Sequence, residues 1–255
     1  MVDLTRDADG CLHARLLDAV EGRSGRVYAD RLREQAVEVT VTVEHAALDP
    51  FRGYMNAIRD ELPDAVAVLD AFHIVKWAGN ALDEVRRRVQ QATLRRRGHK
   101  DDPLLRIRRT LLTGTEHLTD RQRARLDRYL PLGDPEGEVE LAWTIYQAVR
   151  GIYHAASPAG GREQAEELLD TLHTCPVKEV ARLGRTLRQC RTEVLAYFTT
   201  GGVSNGGTEA INAVIEKTRR SPTASGTSPT TASASCSPPT GHGPYRRPSR
   251  APEPC

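Results

Sequence analysis

At 255 residues the chain is long enough for one large or two small domains, and 39% hydrophobic residues supply the apolar surface for a packed core. Lys and Arg total 36 against 34 Asp and Glu, so the net charge of +2 excludes a uniformly basic or acidic protein and identifies no partner until the charges are located. Cys11, Cys175, Cys190, Cys236 and Cys255 are odd in number and lack the short paired spacing of a zinc site or disulfide framework, so they read as reduced thiols. No stretch approaches the roughly 18 apolar residues of a membrane span, and the N-terminus is acidic and polar where a signal peptide is basic then apolar; the expected compartment is the cytoplasm.

In chain order, Asp7-Ala8-Asp9-Gly10 reads as a hairpin loop between a short strand over Met1 to Thr5 and a second over residues 11–20. A helix is expected from Ser24 to Gln35. Val37, Val39, Val41 and Val43 then alternate with polar residues at the period of a strand. Phe51 to Leu62 reads as a helix stopped by Pro63, and Ala65 to Leu69 as a short buried strand ending at Asp70. Strand, helix, strand, helix, strand implies an α/β sheet with parallel pairs, in which ligands gather beyond the carboxyl ends of strands; Asp49 and Asp70 both fall just past such ends.

From Phe72 to about Thr200 the pattern is helical, with breaks expected near Gly98 to Pro103, Gly114, Pro131 to Gly137, Ser157 to Gly161 and Pro176. Thr208 is a candidate cap for a last helix running to Arg219 or Arg220. The tail from Ser221 to Cys255 has eight prolines and no Leu, Ile, Val, Phe or Met, so it is expected to be disordered. Glu84 to Arg128 holds 14 Lys/Arg against six acids, a local charge of +8. An acidic polymer such as DNA suits that segment, because each cation set against a phosphate releases counterions; a solvated helix face explains it equally well.

Three local signals carry the chemistry: Leu48-Asp49-Pro50 with Gly53-Tyr54; Leu69-Asp70-Ala71-Phe72-His73-Ile74-Val75-Lys76 with Leu82-Asp83 and Arg86-Arg87; and Ser204-Asn205-Gly206 with Thr208-Glu209-Ala210-Ile211-Asn212. Singly, each is explained by structure alone. Asp49 before a proline is a turn residue, His73 a hydrogen-bonding histidine, and Glu209 a solvated first-turn glutamate. Their order resembles the transposases of the ISL3 group of insertion sequences, a DDE family, over about residues 1–220.

That resemblance implies an RNase H-like mixed sheet interrupted by a large all-α insertion: a partial core over residues 1–83, the insertion over 84–200, a closing catalytic helix over 201–220 and the tail over 221–255. It implies DNA transposition, in which transposon ends are nicked and joined to target DNA by phosphodiester cleavage and strand transfer. Asp49 matches the second catalytic aspartate and Glu209 the final glutamate, the two metal ligands for a pair of Mg2+ ions. Asp70 and His73 match a supporting motif at the next strand end. Arg86, Arg87, Arg95 and Arg96 are candidates for phosphate contacts.

Both ends depart from the family pattern. Met1 to Asp7 matches the family's second strand, so the first catalytic aspartate is expected to be missing, with Asp3 as its one local substitute. The family's zinc-binding and helix-turn-helix regions have no counterpart, and the tail after about Arg220 reads as frameshifted. The expectation is therefore a truncated copy, inactive alone. The alternative is a catalytically dead fragment that binds DNA or full-length transposase, or self-associates.

Overall fold

The computed structural model describes residues 1–5, 9, 13–19, 21–22, 24–35, 40–49 and 51–220, with backbone alone for 218–220. The expected hairpin loop (apart from Asp9), Val37, Val39, Cys11, Cys236, Cys255 and the tail from Ser221 lie outside them. Two compact units emerge, one built from Met1–Asp70 with the segment from Gly202, the other from Ala71–Gly201.

The first unit begins with β1 (Val2–Asp3), antiparallel to β2 (Arg15–Leu16), with Val2 opposite Leu16 and Asp3 opposite Arg15. The Asp3–Arg15 pair closes to 3.5 Å, an opposite-charge cross-strand pair. Helix α1 (Gly25–Arg33) starts where the sequence placed it, because the Ser24 hydroxyl accepts from Val27 N–H at 3.2 Å and satisfies one orphan donor of the first turn. Helix α2 (Arg52–Glu61) lies against it at a contact between two glycines. A Cβ on Gly25 would stand 2.5 Å from the carbonyl oxygen of Gly53, so this approach requires hydrogen at that position.

β3 (His45–Leu48) and β4 (Val66–Leu69) run parallel, in the register His45–Val66 through Leu48–Leu69, with α2 as the crossover. The strand expected over Val37–Val43 is corrected by this: Thr40 and Val41 have helical backbone, Val41 is 72% exposed, and the strand occupies the next segment. His45-Ala46-Ala47-Leu48 has no polar–apolar alternation, and of the four only Leu48 is buried. The core beneath is Leu32, Leu48, Met55, Ile58, Leu62, Val68 and Leu69.

The unit is completed by α10 (Gly206–Arg220), entered after Gly202, whose φ of 84° is left-handed. The helix opens two residues before Thr208, so Thr208 is an interior residue and not the cap. Gly207 faces the hairpin: a Cβ there would meet Leu4 at 2.4 Å and Ala14 at 3.2 Å.

The second unit is helical in its described residues: α3 (Ala71–Leu94), α4 (Pro103–Leu111), α5 (Asp120–Gly133), α6 (Glu138–Gly151), α7 (Pro158–Thr171), α8 (Lys178–Gln189) and α9 (Arg191–Thr199). Ile74, Ala78, Ala81, Leu82, Val85 and Val89 form the buried stripe of α3 at three- and four-residue spacing. The breaks expected near Pro131 to Gly137 and Ser157 to Gly161 fall at residues 134–137 and 155–157, with the prolines themselves inside helices. Pro131 lies in the last turn of α5, and Pro158 opens α7 behind Ser157, whose hydroxyl accepts from Gly160 N–H at 3.1 Å. Arg88 joins three helices, donating to Glu138 of α6 at 2.8 Å and Glu179 of α8 at 2.7 Å.

The described chain is thus mostly helical, with two two-stranded sheets in place of one larger mixed sheet. No helix among the described residues is long and apolar enough to cross a membrane. Neither Cys175 nor Cys190 is in a disulfide.

Candidate active site

Because β3 and β4 end in register at Leu48 and Leu69, the next residues, Asp49 and Asp70, leave the sheet side by side at its carboxyl edge. The Asp70 N–H donates to the Leu48 carbonyl at 3.3 Å, extending the ladder by one step. Asp70 is 2% exposed and Asp49 half-buried, so one carboxylate is sunk into the unit and the other stands at its margin.

Asn205 reaches both. Its side-chain Nδ2 donates to Asp49 Oδ1 at 3.0 Å, and its backbone N–H donates to Asp70 Oδ1 at 2.9 Å. An ionised carboxylate only accepts, so two neighbouring carboxylates need donors between them, and one asparagine supplies both. The same residue starts α10: its carbonyl accepts the Glu209 N–H at 3.1 Å. Glu209 lies in the first turn of that helix, where the positive end of the helix dipole favours a carboxylate, and it is exposed.

The structure thus gathers Asp49, Asp70 and Asn205 directly and sets Glu209 one helical turn beyond. Asp3 sits on β1, its carboxylate accepting from Thr5 N–H at 2.9 Å and paired with Arg15. His73 belongs to the second unit, on the first turn of α3, with its ring edge-on to Phe72 at 5.6 Å. Among the described residues no three His, Cys, Asp or Glu side chains converge closely enough to hold a metal ion. The donors at the strand ends are nevertheless all oxygen, the set a hard divalent cation requires, and an N–H stands on Asp49 Oδ1 where positive charge is favoured.

The four arginines singled out in the sequence occupy different environments. Arg86 is 5% exposed, and its guanidinium is spent on Asp83 at 2.7 Å and Gln90 at 3.2 Å. Arg87 is exposed and reaches Asp83 at 3.0 Å. Arg96 makes two bonds to Asp102, at 2.6 and 2.8 Å, and these hold the Asp102 carboxyl below the usual carboxylate range. Arg95 is exposed beyond the end of α3 with a left-handed φ of 52°.

Asn205 is the residue that sequence reasoning placed in a motif without giving it a task. The available signal was an asparagine four residues before Glu209, followed by two glycines, at a helix start where its side chain is a favoured cap. Here that side chain serves Asp49.

The family model described as Transposase, of the ISL3 group, matches residues 1–226. The transposase for insertion sequence element IS1557 of Mycobacterium tuberculosis, in two strains, is 23% identical over 202 residues; the match covers 71% of this chain and 44% of that protein. The chain therefore spans less than half the length of the curated relatives it matches. No solved structure matches.

Proposed function

Since the chain belongs to the ISL3 group of transposases, we propose that its first unit is part of an RNase H-like core that cleaves and joins phosphodiesters at insertion-sequence ends. The observation that carries this reading is the asparagine bridge, which brings α10 and its Glu209 to the two strand-end aspartates across 135 and 156 residues of chain. The parallel β3–α2–β4 crossover beside an antiparallel hairpin supports the same reading, as does the placement of a separate helical unit between Asp70 and Gly202.

In this reading Asp49 and Glu209 hold divalent cations, with Mg2+ the expected ion. Two such ions would activate the attacking oxygen and stabilise the leaving oxygen of an in-line displacement. Asp49, half-buried, presents oxygen at the strand end. Asp70 acts through Asn205, anchoring its backbone so that the amide is aimed at Asp49. His73 remains a proposed supporting residue. Arg87 and Arg95 keep exposed guanidiniums for phosphate, whereas Arg86 is buried and Arg96 is committed to Asp102.

A second reading is favoured by one observation, the lack of a three-ligand cluster among the described residues: the chain binds DNA without cutting it alone. Incubation with supercoiled DNA carrying insertion-sequence ends and Mg2+ separates the two. Nicking at the ends, abolished by Asp49→Ala and by Glu209→Ala with DNA binding retained, supports catalysis. Binding without nicking, or nicking that survives either substitution, refutes it.

A further inference from the structure

We infer that the outer face of α5 is a docking surface for the phosphate backbone of duplex DNA; this rests on the transposase reading and assigns it a place in the second unit. Arg121, Arg125 and Arg128 follow one another at spacings of four and three, which puts them on one face of α5, spread over about 10 Å of helix. All three are exposed. Asp120 and Asp127, the acids of the same helix, fall roughly a quarter turn or more from that stripe.

Across the gap from α4, Arg106 joins the stripe. Its Nη1 donates to the Tyr129 hydroxyl at 3.0 Å, and its backbone carbonyl accepts from Arg125 Nη2 at 2.6 Å. The half-buried Tyr129 ring has the Arg106 guanidinium 5.5 Å from its centroid and that of Arg128 at 5.3 Å. The ring restrains Arg128 by cation–π attraction without consuming its N–H donors, whereas Arg106 gives one donor to the Tyr129 hydroxyl and one to Asp101 and keeps the rest.

The charge is poorly compensated. Of these four guanidiniums only Arg106 has a carboxylate partner among the described residues, Asp101 at 2.8 Å. Arginines three and four apart on a helix repel, so the stripe opposes helix stability. Other arginines of the unit, Arg88, Arg96, Arg150, Arg182 and Arg191, are matched to carboxylates. A row of forked cations, three of them without a carboxylate partner among the described residues, suits a regularly spaced anion, and a DNA strand presents one.

The test is the salt dependence of full-chain binding to a fluorescent duplex of arbitrary sequence. Changing Arg121, Arg125 and Arg128 together to Gln, at exposed positions whose helix content is checked by circular dichroism, is expected to weaken binding at least about tenfold at moderate salt. The slope of log K against log salt should fall by about 3, or roughly 0.9 for each phosphate left without its arginine. Tyr129→Phe should weaken binding less than Tyr129→Leu. The same kind of charge removed from α8, as Lys178→Gln with Arg185→Gln, should leave the slope within about 0.5 of wild type.

A triple variant with wild-type slope overturns the inference. So does an equal loss per charge in the α8 control, which would mean diffuse attraction, and so does a wild-type chain that binds single-stranded RNA or protein but not duplex DNA. Cleavage is read separately on supercoiled DNA, so a failure of the catalytic reading appears as a wild-type chain that does not nick, or as nicking that survives Asp49→Ala or Glu209→Ala, and leaves the salt slope of the wild-type chain and of the α5 variant as the measure of this inference.

Discussion

Replacing Asn205 by Ala removes the side-chain donor that it places on Asp49 Oδ1 and leaves its backbone N–H on Asp70. A hydrogen bond to a charged acceptor is worth roughly 1.5–3 kcal/mol, and both residues are half-buried, so the loss should lie near the lower end, about 1.5 kcal/mol. Asn205→Asp sharpens the test. It keeps a helix-capping side chain but turns the donor into a third carboxylate facing Asp49 and Asp70. It should cost more than alanine at neutral pH and recover as acid protonates one of the cluster. The assay is urea unfolding read by amide hydrogen exchange in β3, β4 and α10, because Trp77 and Trp143 both report on the second unit. If Asn205→Asp matches wild type at pH 7, the amide is not what reconciles the two carboxylates, and the bridge does not organise the site.

Arg88→Met should destabilise the second unit by about 3 kcal/mol in urea unfolding, since it strands Glu179, whose side chain is 7% exposed, and deprives Glu138, at 32%, of its partner. Burial pushes the Glu179 carboxyl up, yet bonding to Arg88 brings it below the usual range; with Arg88 gone only the burial remains, so the deficit should begin to shrink above pH ~4.5, as the raised carboxyl protonates, and go on shrinking below it as the wild type loses its ion pair. Adding Glu179→Met should restore much of the loss, and no recovery would show that the ion pair is not the cause. Glu116 is lowered to about 2 by its hydrogen bonds to Arg150, at 2.7 and 3.2 Å. A carboxyl depressed in the folded state stabilises above its unfolded value and loses that contribution as pH falls. Thermal melts should therefore show about 1 kcal/mol lost between pH ~4.5 and ~2, a figure already discounted for the 46% exposure of the Glu116 side chain. Arg150→Gln should flatten that step, and an unchanged step would assign it to other carboxyls.

Much of the first unit was legible because its signals are local. Ser24 starts α1, Pro63 follows the end of α2, and Val66-Ala67-Val68-Leu69 is an apolar run of strand length. The position of β3 was not legible, because His45-Ala46-Ala47-Leu48 has little strand preference of its own and owes its extended form to pairing with β4. The valines that alternate before it gave the better local pattern, yet Val41 ended on the surface. For the same reason Asp49 and Asp70 could be placed at strand ends from the sequence, whereas their common link through Asn205 could not. Nothing local shows which carboxylates a side chain 156 residues away will reach. The arginines illustrate the converse limit: a charge run looks uniform in sequence, and only packing distinguishes buried Arg86 from the unmatched stripe on α5.

The identity of residue 205 follows from the geometry it must satisfy. Ser, Thr, Asp and Asn all suit a helix start, but the position also faces two carboxylates that can only accept. Asp would add repulsion, and Ser or Thr would offer a single hydroxyl on a shorter stem. Asn alone among them carries an N–H donor that reaches Asp49 while its main chain serves Asp70. The bridge then has to close a loop that contains the whole of the second unit. Closure entropy rises only with the logarithm of loop length, by about 0.6 kcal/mol per doubling, and the intervening segment carries its own buried core from Ile74 to Phe198. A segment with a buried core of its own is therefore a small burden on the bridge, and two well-placed hydrogen bonds to charged acceptors are of a size to offset it.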